Sequence, residues 1–219
     1  MKTTNYFKKS WFIFPFFIGS ILFYSCATDY KRVTVYLSET CNAAQQNEAY
    51  EVIVKRISSI GTIKEKSALT DGHFDITYFF TEDTTVSIIP LISQRGEMYI
   101  AENSDSLGTE QPQIIYLNPN TVEKVVVEKE TPYWAPYGIY YLTIEFKKEY
   151  HETFARLTKE NVEKPLIYGV DDRIIATPVV RDAITNGKVS ISGDLEPSEL
   201  YILKSFIAGG VLPCETHIK

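Results

Sequence analysis

Val170–Gly193 reads Val-Asp-Asp-Arg-Ile-Ile-Ala-Thr-Pro-Val-Val-Arg-Asp-Ala-Ile-Thr-Asn-Gly-Lys-Val-Ser-Ile-Ser-Gly. Three short apolar runs alternate here with turn residues. Leu166–Val170 runs into Asp171-Asp172, a polar pair suited to a tight reversal, and Arg173–Ala176 leads out again. Thr177-Pro178 imposes an extended bend, because the proline ring disfavours helix at the residue before it. Asn186-Gly187 is a second reversal whose residues tolerate positive φ. Lys188–Ser192 then alternates polar and apolar side chains, with Val189 and Ile191 on one face, as a half-buried strand does.

With Asp194–Pro213 added, this stretch resembles the end of the large periplasmic P1 region of SecD, an accessory subunit of bacterial protein export. The residues that carry the resemblance are Ala176-Thr177-Pro178, Ile184-Thr185-Asn186-Gly187, Ile191-Ser192-Gly193 and Ala208-Gly209-Gly210-Val211-Leu212-Pro213. Leu142–Pro165, a strand followed by a Glu/Lys-rich helix and Lys-Pro, fits the same pattern. Turn residues of this kind fix a fold and perform no chemistry.

The 219 residues, 44 % hydrophobic and 23 % charged, suffice for one or two domains with a proper core. Residues 1–25 stand apart. Lys2, Lys8 and Lys9 precede an apolar segment, Trp11–Tyr24, that is shorter than the roughly 20 residues a spanning helix needs. Residues 1–25 therefore read as a signal peptide. Leu22-Phe23-Tyr24-Ser25-Cys26 resembles a lipobox, in which Cys26 receives the lipid and becomes the new N-terminus. A plain signal peptide or an uncleaved anchor is the alternative. The three lysines are the only charged side chains removed with this segment. The remainder carries 19 basic against 28 acidic side chains, net −9, which argues against nucleic acid and anionic lipid as partners. Ala27 after Cys26 suggests, under the common sorting rule, the periplasmic face of the outer membrane.

After a tether at 26–32, the chain is expected to be α+β: a split ferredoxin-like base carrying an inserted α/β head subdomain. Residues 33–110 form the first part of the base, 111–193 the SecD P1 head-like subdomain, and 194–219 the second part of the base. Val33–Leu37 is the first strand. Gln45–Ile60 is a helix with Ala49, Val52, Ile53, Ile57 and Ile60 on one face, stopped by Gly61. His73–Phe80 and Thr85–Ile89 are strands, and Glu97–Ala101 extends the same sheet. In the insert, Val122–Glu128 and Ile139–Phe146 are strands and Lys148–Asn161 is a helix. Pro197 opens a last helix closed by Gly209-Gly210, and Val211–Ile218 is the final strand.

In such a plait the first and last strands are antiparallel neighbours, which brings Cys41 opposite Cys214. A disulfide between them is expected, two separate buried thiols being the alternative. Nothing in the sequence forms a catalytic constellation: there is no phosphate-cradling glycine loop, GxSxG, HExxH or paired CxxC, and His73, His151 and His217 are scattered. His151-Glu152 reads as a solvated helix face and Asp171-Asp172 as a turn. No catalytic residue, no metal and no cofactor is expected. Tyr133 and Trp134, set among prolines, are the candidate binding surface, either as an exposed aromatic lip or as a plug in the base–head joint.

The resemblance implies a lipid-anchored envelope domain that contacts exported or unfolded polypeptide or a membrane-protein partner. SecD's membrane-embedded energy-coupling domain has no counterpart up to Lys219, so transport activity is not carried over. A structural or small-ligand-binding lipoprotein is the alternative, and an enzyme is not expected.

Overall fold

The computed structural model describes residues 29–81, 86–103, 112–135, 137–192 and 195–218. The signal-peptide reading and Cys26 lie outside these residues.

The base is built from β1 (Lys31–Leu37), α1 (Ala43–Ile60), β2 (Gly61–Lys66), β3 (His73–Phe80), α4 (Pro197–Gly209) and β11 (Thr216–Ile218). Its sheet runs β11-β1-β3-β2, with antiparallel partners throughout. That is the strand order of a ferredoxin-like plait whose second half arrives late in the chain. α1 starts where Asn42 and Gln45 form a reciprocal capping box, each side chain accepting from the other's backbone N–H at 3.0 Å. Its buried face (Ala49, Val52, Ile53, Ile57, Ile60) packs with Val35, Phe74 and Ile76 of the sheet. Full burial of each large side chain here stabilises by about 1.5–3 kcal/mol. Cys41 and Cys214 are joined, closing a 173-residue separation at the mouth of the last strand.

Between β3 and α4 lie α2 (Ile88–Ser93), β4 (Met98–Glu102), β5 (Ile114–Leu117), β6 (Val122–Glu130), β7 (Ile139–Phe146), α3 (His151–Glu160), β8 (Leu166–Val170), β9 (Arg173–Ala176) and β10 (Lys188–Ile191). They form two further sheets, β5-β4-β8-β9 and β10-β7-β6. Both contribute to a second core with Phe146, Phe154 and Leu157, the two phenyl rings lying 4.6 Å apart.

Three sequence expectations change. Ile88–Ser93 is a helix where a strand was expected at Thr85–Ile89, a stretch that also runs partly outside the described residues. The Ser87 hydroxyl accepts from Ile89 N at 3.3 Å, and Pro90 falls in the first turn, where its missing N–H costs nothing. Met98–Glu102 does not extend the base sheet; its partners are β5 and β8, which puts a strand from the 33–110 segment into the sheet of the insert. Gly61 does not merely end α1 but begins β2, its backbone extended at φ −160°.

α4 belongs to both cores. Leu200, Leu203, Phe206 and Ile207 pack with the insert, while Tyr201 packs with the base.

Candidate functional site

The stretch that decided the fold also builds a pocket. Thr177-Pro178 keeps the chain extended, and residues 178–180 are strapped onto 162–166. Leu166 N donates to Pro178 O at 3.0 Å, Val180 N to Lys164 O at 3.0 Å, and Glu163 N to Val180 O at 2.8 Å. Further on, Ile184 N donates to the Thr158 hydroxyl at 2.9 Å, fixing the strap's other end to α3. Between the strap and β10 lies a cavity of 370 Å³, walled by Leu166, Tyr168, Val180, Ile184 and Val189. Arg181 and Asp182 stand at its rim. Burial raises the Tyr168 phenol well above its ordinary range, so it stays neutral. The walls suit an apolar side chain or a small apolar molecule. They offer no nucleophile–base pair. The sequence reading gave the Thr-Pro bend and the Asn-Gly turn but missed the cavity, because its walls come from α3, β8 and β10 together.

Tyr133 and Trp134 are brought together with Tyr137 in the connection from β6 to β7. Ala135 N donates to Pro132 O and Gly138 N to Ala135 O, both at 2.9 Å, and Gly138 takes φ +83° to re-enter the strand. The three rings are 98 %, 65 % and 90 % exposed. They do not plug the base–head joint.

The joint is filled instead by Arg56 of α1, which is fully buried. Its guanidinium donates five hydrogen bonds of 2.6–3.1 Å to the carbonyls of Leu91, Gln94, Arg95 and Gly210. It also lies 4.6 Å over the Phe206 ring. Burial pushes this guanidinium down to about 9, opposed by the nearby Asp171 carboxylate. Asp171 in turn accepts from Gly96 N at 3.1 Å and Glu97 N at 2.8 Å. Leu212 N donates to Arg95 O at 2.9 Å. The segment leaving the base and the one re-entering it are thus gripped at one point. A Cβ at Gly96 or Gly209 would collide with Arg56.

The remaining sequence candidates stay apart. His73 and His217 stack on either side of Tyr36, each ring centroid 5.6 Å from it. His151 Nε2 donates to Phe146 O at 2.9 Å. Asp171, at φ +50°, makes the β8–β9 turn and anchors the joint. Among the described residues no three His, Cys, Asp or Glu side chains gather as metal ligands, and no helix is long and apolar enough to cross a membrane.

Residues 110–214 match the family model of the SecDF P1 head subdomain. Protein translocase subunit SecD of Calditerrivibrio nitroreducens is 32 % identical over 78 residues, 36 % of this chain and 15 % of the relative. SecD of Leptotrichia buccalis is 23 % identical over 177 residues, 80 % of this chain and 42 % of the relative. The chain therefore spans less than half the length of these curated relatives. Among solved structures, SecDF in its super-membrane-facing form superposes with a TM-score of 0.58 at 17 % identity, covering 85 % of this chain and 29 % of that one. A second, described as a membrane component SecDF that enhances protein export, gives 0.56 at 17 % identity, covering 86 % of this chain and 97 % of that one. At such identity the structures establish the fold, and the fold they establish extends through base and insert alike. Residues 110–214, a segment that takes in the pocket, the aromatic loop and α4, are thus similar to the SecDF P1 head subdomain.

Proposed function

We propose that this chain is a lipid-anchored binding domain of the bacterial cell envelope that holds extended segments of exported polypeptide and has no transport activity of its own. The supporting observation is the 370 Å³ apolar pocket lying within the segment shared with the P1 head. One apolar side chain buried there contributes about 1.5–3 kcal/mol. Binding per side chain is then weak, on the order of millimolar or poorer, and a polypeptide is retained by repeated contacts. Weak and sequence-tolerant holding suits a client that must be released. The N-terminal pattern ending at Cys26 supplies the anchor in this reading, and Ala27 directs it to the periplasmic face of the outer membrane.

The test places a photo-crosslinking residue at Val179, half-exposed at the pocket rim. Crosslinks to an unfolded exported protein are expected, and Val189→Asp should abolish them without unfolding the domain. A folded protein that captures no client at this position removes the reading. The same pocket favours one other ligand class, since small-molecule sites occupy about 300–1,000 Å³. A copurifying metabolite seen by native mass spectrometry, displaced by Val189→Asp, would favour a small-ligand-binding lipoprotein over a polypeptide holder.

A further inference from the structure

The β6–β7 connection, Thr131–Gly138, reads Thr-Pro-Tyr-Trp-Ala-Pro-Tyr-Gly and carries no charged side chain, although the strand before it ends Glu128-Lys129-Glu130. Three large aromatics there are turned outward, Tyr133 almost completely so. Exposing this much ring surface on a protruding hairpin end is costly in water, and nothing in the packing of the fold requires it: the rings belong to neither core. Trp and Tyr are the side chains that favour the boundary between lipid headgroups and hydrocarbon, where an apolar ring and a polar tip are both satisfied. Two prolines shorten the list of conformations lost on docking.

Position points the same way. Val127, three residues before the end of β6, packs against the base core as well as that of the insert, so this hairpin rises from the joint between them. The base is also where the N-terminal segment attaches. β1 begins at Lys31, five residues after Cys26, and that length of extended chain reaches at most about 18 Å. A bilayer holding the N-terminal segment is therefore within reach of the base. This nearness rests on reading Cys26 as the acylated residue.

We infer that Tyr133, Trp134 and Tyr137 form a foot that seats in the interfacial layer of a lipid bilayer. The seat is made by ring partition and not by charge. Thr131–Gly138 itself carries no cation, the nearby Lys129 ammonium is directed over the Tyr140 ring, and the domain's net −9 repels an anionic headgroup. Contact is therefore strongest on zwitterionic lipid and insensitive to salt. With an N-terminal anchor at one point and the foot at a second, the domain is held in one orientation and does not swing on its tether.

The sequence holds two tryptophans, so in the full chain carrying Trp11→Phe the only indole is Trp134. This protein is reconstituted with phosphatidylcholine vesicles spin-labelled near the headgroup. Expected are a blue shift of Trp134 emission, quenching by the shallow label, and loss of both in Tyr133→Ser/Tyr137→Ser. Replacing part of the lipid with phosphatidylglycerol should weaken the quenching. A companion protein without residues 1–26 is titrated with the same vesicles. If it needs more lipid to reach the same quenching, both the anchor and the foot stand. If the two proteins titrate identically, the anchor reading fails while the quenching still establishes the foot. Hydrated, unquenched Trp134 emission at saturating lipid in both proteins overturns the inference. An emission shift produced only by added envelope protein overturns it in favour of a protein partner.

Discussion

Arg56 fills a position that the helical pattern had already marked. Ala49, Val52, Ile53, Ile57 and Ile60 define one face of α1, and residue 56 lies on that face, one turn from Val52 and Ile60. A basic residue on an apolar face signals a buried polar contact, but its partners are backbone carbonyls from two distant segments, 91–95 and Gly210, which no spacing rule identifies. Arg56→Met removes the donors and leaves the carbonyls of Leu91, Gln94, Arg95 and Gly210 facing an apolar side chain. Each buried unsatisfied polar group costs about 1–3 kcal/mol. A loss of at least about 3 kcal/mol is expected, read as a lower urea midpoint at unchanged slope. Arg56→Lys should fall between, because an ammonium has three donors and no planar fork. A change under about 1 kcal/mol for Arg56→Met would mean the joint relaxes enough to satisfy those carbonyls another way. At the same scale Tyr133 and Trp134 were legible as an aromatic, proline-flanked pair. Whether they faced outward or into the joint was not, since exposure depends on which segment fills the joint.

Elements with a strong local period emerged in place: β1, α1, β3, β7, β10 and α4 all lie where alternation or helical spacing puts them. The ones that were missed or misplaced are short and obey distant partners. β2 begins on a glycine that reads as a helix stop, and only its pairing with β3 makes it a strand. β4 follows the base in sequence, yet its apolar face, Met98 and Ile100, completes a sheet whose other strands begin 12 to 71 residues after β4 ends. The bridge between Cys41 and Cys214 was legible because the plait order alone makes β1 and β11 neighbours. β11 is three residues long and among the described residues pairs only with β1, so it depends on that bridge more than on its own ladder. For a 173-residue separation the chain-entropy argument gives roughly 5 kcal/mol, and less where the denatured state is compact. Reduction, or Cys41→Ser with Cys214→Ser, should lower stability by several kcal/mol and raise amide exchange first in Thr216–Ile218. Unchanged denaturation midpoints with and without reductant would remove the bridge from any structural role.

Two cores and three sheets suggest two independently stable bodies, but α4 argues otherwise. Its residues alternate between the cores within a single turn: Leu200 and Leu203 in the insert, Tyr201 in the base, with Ile202 touching both. Val127 of β6 likewise packs against each core. Neither body can lose its packing without stripping one face of the helix that completes the other, and Arg56 fastens the same junction. The whole chain should therefore unfold in one step. Tyr201→Ala and Leu203→Ala, on opposite sides of α4, should each cost about 2–5 kcal/mol and lower a single shared transition. Probes placed in the base sheet and in the strap over the pocket would then report coincident midpoints, in wild type and in both variants. If Leu203→Ala melted the insert while the base sheet stayed folded, α4 would be a hinge between separable units. The pocket and the aromatic foot would then no longer be held in a fixed relation to the base.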